Sequence, residues 1–213
     1  MDLPITCIIL AGGHGHRLGG INKALIRHRD GTSLLDNLIL GMRPLITEVL
    51  LVIRKEQKRN FESTVESCAD KLALHTVFDS GVGPAAALTQ GAEFATHECL
   101  LVIGADHPFF DLNLIRKLRK VWLEEKNALV AARRYQGPSA AGCDSAQPLW
   151  AMYSRNAVMK AASAKDWSHC SLHELVKHLG PRLIESHSKA FLSINKPSDL
   201  NSFDCEMPNV DSH

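Results

Sequence analysis

Hydrophobic and polar positions alternate in blocks along the chain, with short apolar runs separated by longer amphipathic segments. The apolar runs rich in β-branched residues predict buried strands over Ile5–Leu10 and over residues 49–53, 74–78 and 99–103. The amphipathic segments predict a helix capped by Ser33 and ending near residue 44, and further helices over residues 56–69, 84–95 and 112–124. Such alternation is typical of βαβ units. It predicts an α/β fold, a three-layer α/β/α sandwich around a mostly parallel, mixed sheet.

The second half of the chain is less regular. Strands are predicted over residues 128–132 and 148–153, joined by a loop of small and polar residues, and helices over residues 155–164 and 171–179. A short strand over residues 191–194 precedes a turn of helix that begins at Pro197. Since we find no repeat and no low-complexity linker, we expect a single domain over residues 1–203. Residues 204–213 are polar without periodicity, which predicts a flexible tail.

The overall charge of the chain is nearly balanced. Its 213 residues include 24 Lys plus Arg and 23 Asp plus Glu, a net charge of +1. A strong electrostatic footprint for nucleic acid or anionic membrane is therefore not expected, and neither partner is predicted. A local basic site for a small anion remains compatible with this total.

The six cysteines are widely scattered and form no CxxC pair. Cys7 and Cys99 lie inside apolar, strand-like runs, where cysteine behaves as a small hydrophobic residue. The longest apolar runs are too short to span a bilayer, and we recognise no signal peptide. We therefore expect reduced thiols in a soluble, cytoplasmic protein.

The loop after the first strand carries the most informative motif. Residues 10–23 read LAGGHGHRLGGINK, in which the glycines let backbone N–H groups approach a ligand and form an anion cradle. Arg17 and Lys23 add side-chain donors suited to phosphate oxygens. A glycine-rich connection with surface cations would explain the same residues, but its place after a buried strand favours phosphate binding. The dinucleotide fingerprint fails at Leu18, and the Walker pattern fails because Ala24 follows Lys23.

Two carboxylates follow predicted strands. Ligands of open α/β sheets sit beyond the carboxyl ends of the strands, and Asp106 comes just after the strand over residues 99–103. A carboxylate there can hold Mg²⁺ against phosphate oxygens, or it can begin a turn, and the residues alone support both interpretations equally. Asp79 precedes a helix start at Pro84, whose positive N-terminus would face the same ligand.

The eleven histidines do not form a metal-binding pattern. His14 and His16 are the closest pair, and no further ligand joins them at zinc-site spacing. His107 follows Asp106 and either contacts a ligand or packs beside Pro108. The residues do not decide between these two roles.

The spacing L-A-G-G-x-x-x-R-x-G-G-x-x-K, together with Asp79 before Gly83-Pro84 and Asp106 before Pro108-Phe109, resembles the MobA-like nucleotidyltransferases, the family of the molybdenum cofactor guanylyltransferases. The resemblance extends over residues 5–203. It implies a Rossmann-like nucleotidyltransferase fold. It also implies Mg²⁺-dependent transfer of GMP from GTP to molybdopterin carrying molybdenum, with release of pyrophosphate, in molybdopterin guanine dinucleotide biosynthesis.

The resemblance also implies a role for each matching residue. Arg17, Lys23 and Asp106 would be catalytic, with Asp106 as the Mg²⁺ ligand, and Asn195 would contact the acceptor. The nucleotide would be bound by residues of the loop and of the strand ends: Leu10, Ala11, Gly12, Gly13, Lys23, Asp79 and Asp106. GTP and molybdopterin would be the substrates, and transient contact with molybdoenzyme assembly proteins is implied.

Several residues depart from the family pattern. Asn22 stands where Asp is frequent, Ser193 replaces the first asparagine of a C-terminal motif, and Ala87 replaces a common glycine. The strand over residues 49–53 lacks the asparagines often found at its end. Three alternatives therefore stay open: a CTP-dependent molybdopterin cytidylyltransferase or similar enzyme, a non-catalytic nucleotide-binding regulatory protein, and a NAD(P)-dependent oxidoreductase. The last is disfavoured because the dinucleotide fingerprint fails.

Overall fold

A computed structural model of the chain describes residues 3–13, 15, 18–69, 72–134, 145–203 and 205–207, with only the backbone described for residues 67–69. Within these ranges seven strands form one sheet in the spatial order β4-β3-β1-β5-β7-β6-β8, and β2 pairs with β9 apart from it. The strands are β1 (Ile5–Leu10), β2 (Arg27–His28), β3 (Glu48–Ile53), β4 (Ala73–Phe78), β5 (Cys99–Gly104), β6 (Leu129–Arg134), β7 (Ala146–Ser154), β8 (Arg182–Ser186) and β9 (Cys205–Glu206).

Helices separate most of these strands. They are α1 (Leu34–Met42), α2 (Glu62–Ala69), α3 (Pro84–Phe94), α4 (Leu112–Glu125), α5 (Arg155–Ala164), α6 (Leu172–Leu179) and α7 (Pro197–Ser202). Short 3₁₀ helices cover Lys23–Leu25, Lys55–Phe61 and Lys189–Phe191. The cap predicted for α1 is confirmed, because Ser33 Oγ accepts a hydrogen bond from Asp36 N at 3.0 Å. None of the described helices combines the length and apolar character needed to cross a membrane.

The sheet is mixed, as the sequence predicts. Strands β4, β3, β1 and β5 are parallel, whereas β7 runs antiparallel between β5 and β6. Alternate residues of a strand face opposite sides, so Ile9 packs in the layer of α1 and α4 while Ile8 packs in the layer of α3, α5 and α6. Both layers are dense with buried apolar side chains, and the α/β/α sandwich is confirmed. Cys7 and Cys99 are fully buried in β1 and β5, as expected for small hydrophobic residues.

Some local predictions are wrong. No strand forms over residues 191–194: buried Phe191 ends the 3₁₀ helix Lys189–Phe191, residues 192–194 have no regular structure, and the seventh strand of the sheet is β8. Edge strand β8 buries only Ile184 of its five residues, so it leaves almost no periodic signal. The helix predicted over residues 56–69 begins as a 3₁₀ helix and becomes α-helical at Glu62. The flexible tail stays a prediction: Cys205 and Glu206 pair with β2 as β9, and residues 204 and 208–213 lie outside the described residues.

Candidate functional site

The carboxyl ends of β1, β3, β4 and β5 meet at one edge of the sheet because these strands are parallel. Three adjoining cavities open there. The central cavity, about 230 Å³, contains Gly13, Lys23 and Asp106 in its wall. The side cavity, about 200 Å³, contains Arg54 and Asp79. The outer cavity, about 360 Å³, contains residues from the start of β7, the start of α6 and the segment before α7.

The loop after β1 is held by contacts to β3 and the segment that follows it. Ala11 N donates to Val52 O at 2.9 Å, which extends the strand pairing by one residue. Arg54 Nε donates to Gly12 O at 2.8 Å, and Gln57 Nε2 donates to Gly13 O at 3.3 Å. These contacts hold the backbone of residues 11–13 against β3 and the segment that follows it. Gly13 lines both the central and the side cavity.

Farther along the loop, Gly15 has a left-handed backbone with φ +61°. A Cβ at this position would lie 1.9 Å from Ile21 O, so only glycine fits. Gly15 O accepts hydrogen bonds from Leu18 N at 2.8 Å and Gly20 N at 3.1 Å, which closes the loop. His14, His16 and Arg17 lie outside the described residues, and the role expected of Arg17 stays a prediction.

Asn22 explains one departure from the family pattern. Its side chain is 7% exposed; Nδ2 donates to Ala11 O, and Oδ1 accepts from Ala24 N, both at 3.0 Å. The amide needs both a donor and an acceptor here, and an ionised Asp would lack the donor. Asn22 therefore fixes the 3₁₀ helix that carries Lys23 directly onto the loop after β1.

Lys23, Asp106 and Asn195 come together at the central cavity. Lys23 Nζ donates to Asp106 Oδ2 at 3.0 Å and to Asn195 Oδ1 at 2.8 Å. Asp106 is placed by the end of β5, where Ala105 N donates to Leu10 O at 3.2 Å. The structure thus brings one loop cation, one strand-end carboxylate and one C-terminal amide into a single cluster.

His107 is a buried neighbour of this cluster. Its Nδ1 lies 3.1 Å from Leu192 O, and because a carbonyl only accepts, Nδ1 carries the proton. Burial lowers the pKa of His107, which favours the neutral ring. Its Nε2 lies 3.6 Å from Asp106 Oδ1, and its ring contacts Trp150 edge to face at 5.9 Å. The ring of His107 thus packs against Trp150 and also lines the outer cavity, so the ligand contact left open for it stays a prediction.

Trp150 of β7 is a residue next to this cluster that no local sequence pattern singles out. It is fully buried with φ +66°, a strained backbone for a bulky residue, at a cost of about 1–3 kcal/mol. The strain lies beside an irregularity in the β6–β7 register, between Ala131 and Ala132. The residue that precedes Trp150, Leu149, lines both the central and the outer cavity.

Asp79 lies apart from Asp106, in the side cavity. Its Oδ1 accepts a hydrogen bond from Gly81 N at 2.8 Å, so it forms the turn that leads into α3. Its Oδ2 lies 3.1 Å from the position a Cβ would take at Gly12, so a larger residue there would have to displace the Asp79 carboxylate slightly. Arg54, which lines the same cavity, had one sequence signal: it is a charged residue directly after a buried strand.

The donor set of this site is small for a divalent metal. Among the described residues no group of three or more His, Cys, Asp or Glu side chains could hold one. Asp106 is a single carboxylate, and its Oδ2 is paired with Lys23. Mg²⁺ is commonly held by one or two carboxylates plus substrate phosphates and water, so this site fits a metal that arrives with a triphosphate. It does not fit a metal held by protein groups alone.

The family description "MobA-like NTP transferase domain" matches residues 7–183, which is most of the chain. The chain belongs to the MobA-like NTP transferase family. Over 133 residues it is 32% identical to a molybdenum cofactor guanylyltransferase of Pseudomonas syringae pv. tomato, covering 62% of this chain and 63% of that relative. The matches to other curated relatives of this name span between 54% and 66% of their length.

Solved structures share the fold at low sequence identity. A molybdopterin-guanine dinucleotide biosynthesis protein A from Archaeoglobus fulgidus has a TM-score of 0.69 at 20% identity, covering 93% of this chain and 96% of that one. A 4-diphosphocytidyl-2C-methyl-D-erythritol synthase from Anaerococcus prevotii has a TM-score of 0.70 at 15% identity, covering 95% of both chains. These likenesses support the Rossmann-like nucleotidyltransferase fold that the sequence resemblance implies.

Proposed function

We propose that this protein transfers GMP from GTP to the terminal phosphate of molybdopterin carrying molybdenum and releases pyrophosphate. The observation that carries the proposal is the pairing of Lys23 with Asp106 in a cavity walled by the glycine loop. A cation for phosphates and a carboxylate for a metal are the two charges that nucleotidyl transfer requires, and here they share one site. The guanine base and the acceptor are taken from the names of the curated relatives.

The chemistry is a displacement at the α-phosphorus of the nucleotide. An oxygen of the acceptor phosphate forms the new P–O bond, and the bond from the α-phosphorus to the bridging oxygen of the β-phosphate breaks. Pyrophosphate leaves with that electron pair. Positioning and charge stabilisation supply most of the rate in such transfers, so a covalent nucleophile on the protein is not required.

Each part of the chain has a distinct task in this proposal. Lys23 and the N–H groups of Gly12 and Gly13 hold the phosphates and stabilise the negative charge that develops on the leaving pyrophosphate. Arg17 is expected to add a second cation. Asp106 would hold a divalent metal, proposed to be Mg²⁺, which when bound neutralises phosphate charge and aligns the triphosphate.

The three cavities suit the three parts of the reaction. The nucleoside would occupy the side cavity, where Asp79 and Arg54 offer polar contacts, and the triphosphate the central cavity. The acceptor would occupy the outer cavity, whose wall contains Ser193, the hydrogen-bond partner of Asn195. Pro84 lines all three cavities, so the start of α3 is the wall that they share. Transient contact with molybdoenzyme assembly proteins, which would receive the product, is part of the same proposal.

A pyrophosphate-release assay tests the proposal. The full-length protein is incubated with Mg²⁺, molybdopterin and one of GTP, CTP, ATP or UTP. We expect release with GTP that depends on molybdopterin. Release with CTP in place of GTP would overturn the guanylyl assignment, and no release with any nucleotide, despite binding, would favour a non-catalytic protein.

A further inference from the structure

Asn195, which the family resemblance assigns to the acceptor, contacts Lys23 directly. Asn195 Oδ1 accepts a hydrogen bond from Lys23 Nζ at 2.8 Å, shorter than the 3.0 Å contact from the same ammonium to Asp106. A lysine side chain has many rotamers, so an ammonium without partners would sample many positions at the cavity mouth. Two oxygen partners on different segments fix the charge at one place in the central cavity wall.

The asparagine is itself held in place. Its Nδ2 donates to Ser193 Oγ at 2.8 Å, and its backbone N donates to Asp199 Oδ2, also at 2.8 Å. One residue earlier, Ile194 N donates to Asp106 O at 2.9 Å, which fastens the segment to the end of β5. The Oδ1 atom is therefore left as the part of the amide that faces Lys23.

The segment that carries Asn195 is also packed onto the segment that carries Lys23. We call residues 193–203 and 205–207 the C-terminal segment. A small hydrophobic cluster joins it to the chain around Lys23 and consists of Leu18, Ile26, Leu34, Ile194, Leu200 and Cys205. Strand β9 adds two backbone pairings to β2, which follows the 3₁₀ helix of Lys23. This packing holds Asn195 and Lys23 together independently of any ligand.

We propose that Asn195 is a positioning residue for nucleotide binding: it holds the Lys23 ammonium at the phosphate site, and the C-terminal segment exists in part to present it. The inference rests on the proposed function, because it assigns the phosphates to Lys23. Ser193 then has a task as well, since its hydroxyl orients the amide. This accounts for a serine at a position where the family more often has asparagine.

The test is a double-mutant cycle on nucleotide affinity. Titration calorimetry gives the Kd of Mg²⁺-GTP, and in parallel of inorganic tripolyphosphate, for wild type, Asn195→Ala, Lys23→Met and the double variant. We expect Asn195→Ala to weaken both ligands about fivefold, the size of one hydrogen bond. In the Lys23→Met background the same change should have no effect, because the ammonium that it positions is gone.

The matched control is Asn201→Ala, which removes the same side chain from the exposed face of α7 in the same segment. It should leave both affinities and the melting temperature unchanged, and Asn195→Ala should leave the melting temperature close to that of the wild type. Steady-state kinetics of Asn195→Ala add a second readout. If Asn195 positions Lys23, the substitution raises the KM for GTP. If Asn195 only contacts the acceptor, the substitution raises only the KM for molybdopterin.

Failure of the inference differs from failure of the function. If the wild type binds the nucleotide and Asn195→Ala leaves its Kd unchanged, or if the losses in the double variant add, the positioning role is wrong while the function stands. If the wild type binds tripolyphosphate but does not bind GTP, CTP, ATP or UTP, the proposed function is wrong. The double-mutant cycle measured with tripolyphosphate then still decides the role of Asn195. If it binds neither, both proposals fall.

Discussion

Lys23 Nζ lies 3.0 Å from Asp106 Oδ2, although 83 residues separate the two along the chain. Each side chain is about a quarter exposed, at 25% and 24%, so both remain accessible from the central cavity. An ion pair this open contributes at most about 1 kcal/mol to folding. The two residues can therefore be substituted one at a time without unfolding the protein, and their roles in binding and chemistry can be measured separately.

Replacing Lys23 by methionine keeps the length of the side chain and removes its charge. We expect kcat/KM for pyrophosphate release to fall by about 10²–10³, as for loss of one contact to a developing negative charge. Urea unfolding should change by about 1 kcal/mol or less. Lys120→Met, at a position 72% exposed on α4, is the matched control and should leave activity unchanged. Full activity of Lys23→Met would contradict the assignment of the reaction to the central cavity.

Asp106→Asn separates metal binding from phosphate binding. The substitution removes the negative charge with little change in shape, so pyrophosphate release should be lost at every Mg²⁺ concentration. In the presence of EDTA, nucleotide affinity should stay equal or increase, because the carboxylate repels phosphates when no cation lies between them. Activity of Asp106→Asn with the same Mg²⁺ dependence as the wild type would show that this carboxylate does not hold the metal.

Gly13 and Gly15 should respond differently to alanine, although both belong to the same loop. A Cβ at Gly13 meets no atom within 4 Å, so Gly13→Ala should change the unfolding free energy by less than about 0.5 kcal/mol. The methyl group that Gly13→Ala adds would enter the central and side cavities, and nucleotide affinity should fall.

Gly15→Ala should instead destabilise the protein by about 1–3 kcal/mol, because φ is +61° and Ile21 O blocks the Cβ. Chemical denaturation and calorimetry measure the two effects, and an unaffected nucleotide Kd for Gly13→Ala would contradict the assignment of the cavities.

Asp199 gives the C-terminal segment a pH dependence with a defined sign. Hydrogen bonds from Asn195 N and then Lys196 N lower the pKa of Asp199 below its usual 3.8. A lowered folded pKa means that this carboxylate stabilises the folded state above about pH 4, and that the stabilisation is lost as the pH falls toward the lowered value. The difference in melting temperature between wild type and Asp199→Asn should therefore be constant from pH 7 to about pH 5 and shrink below about pH 4. A difference that grows on acidification would have the wrong sign.

The sequence predicted the part of the site that depends on strand ends. Lys23, Asp106 and the glycine loop are each recognisable from residues close to them in the chain, and parallel strands necessarily bring their carboxyl ends to one edge. The burial of β1 and β5 could also be predicted from local sequence, because the apolar run of each strand is unbroken.

What could not be predicted depends on contacts between distant segments. Asn22 looked like a lost negative charge, and its need for a donor is visible only when Ala11 O lies beside it. The hydrogen bond from Lys23 to Asn195 joins residues 172 positions apart, and no local pattern encodes it. Strands β2 and β9 have only two residues each, too few for any periodicity to appear. The Lys23–Asn195 hydrogen bond and the β2–β9 pair both join the C-terminal segment to the part of the chain that follows the glycine loop.

The most direct test of the central claim is the identity of the product. The full-length protein is incubated with GTP, Mg²⁺ and molybdopterin carrying molybdenum, and the acceptor is analysed by mass spectrometry while pyrophosphate is quantified. The account predicts an acceptor whose mass has increased by one GMP unit, with one pyrophosphate released for each molecule formed. An unmodified acceptor, whether GTP is untouched or consumed, would contradict it.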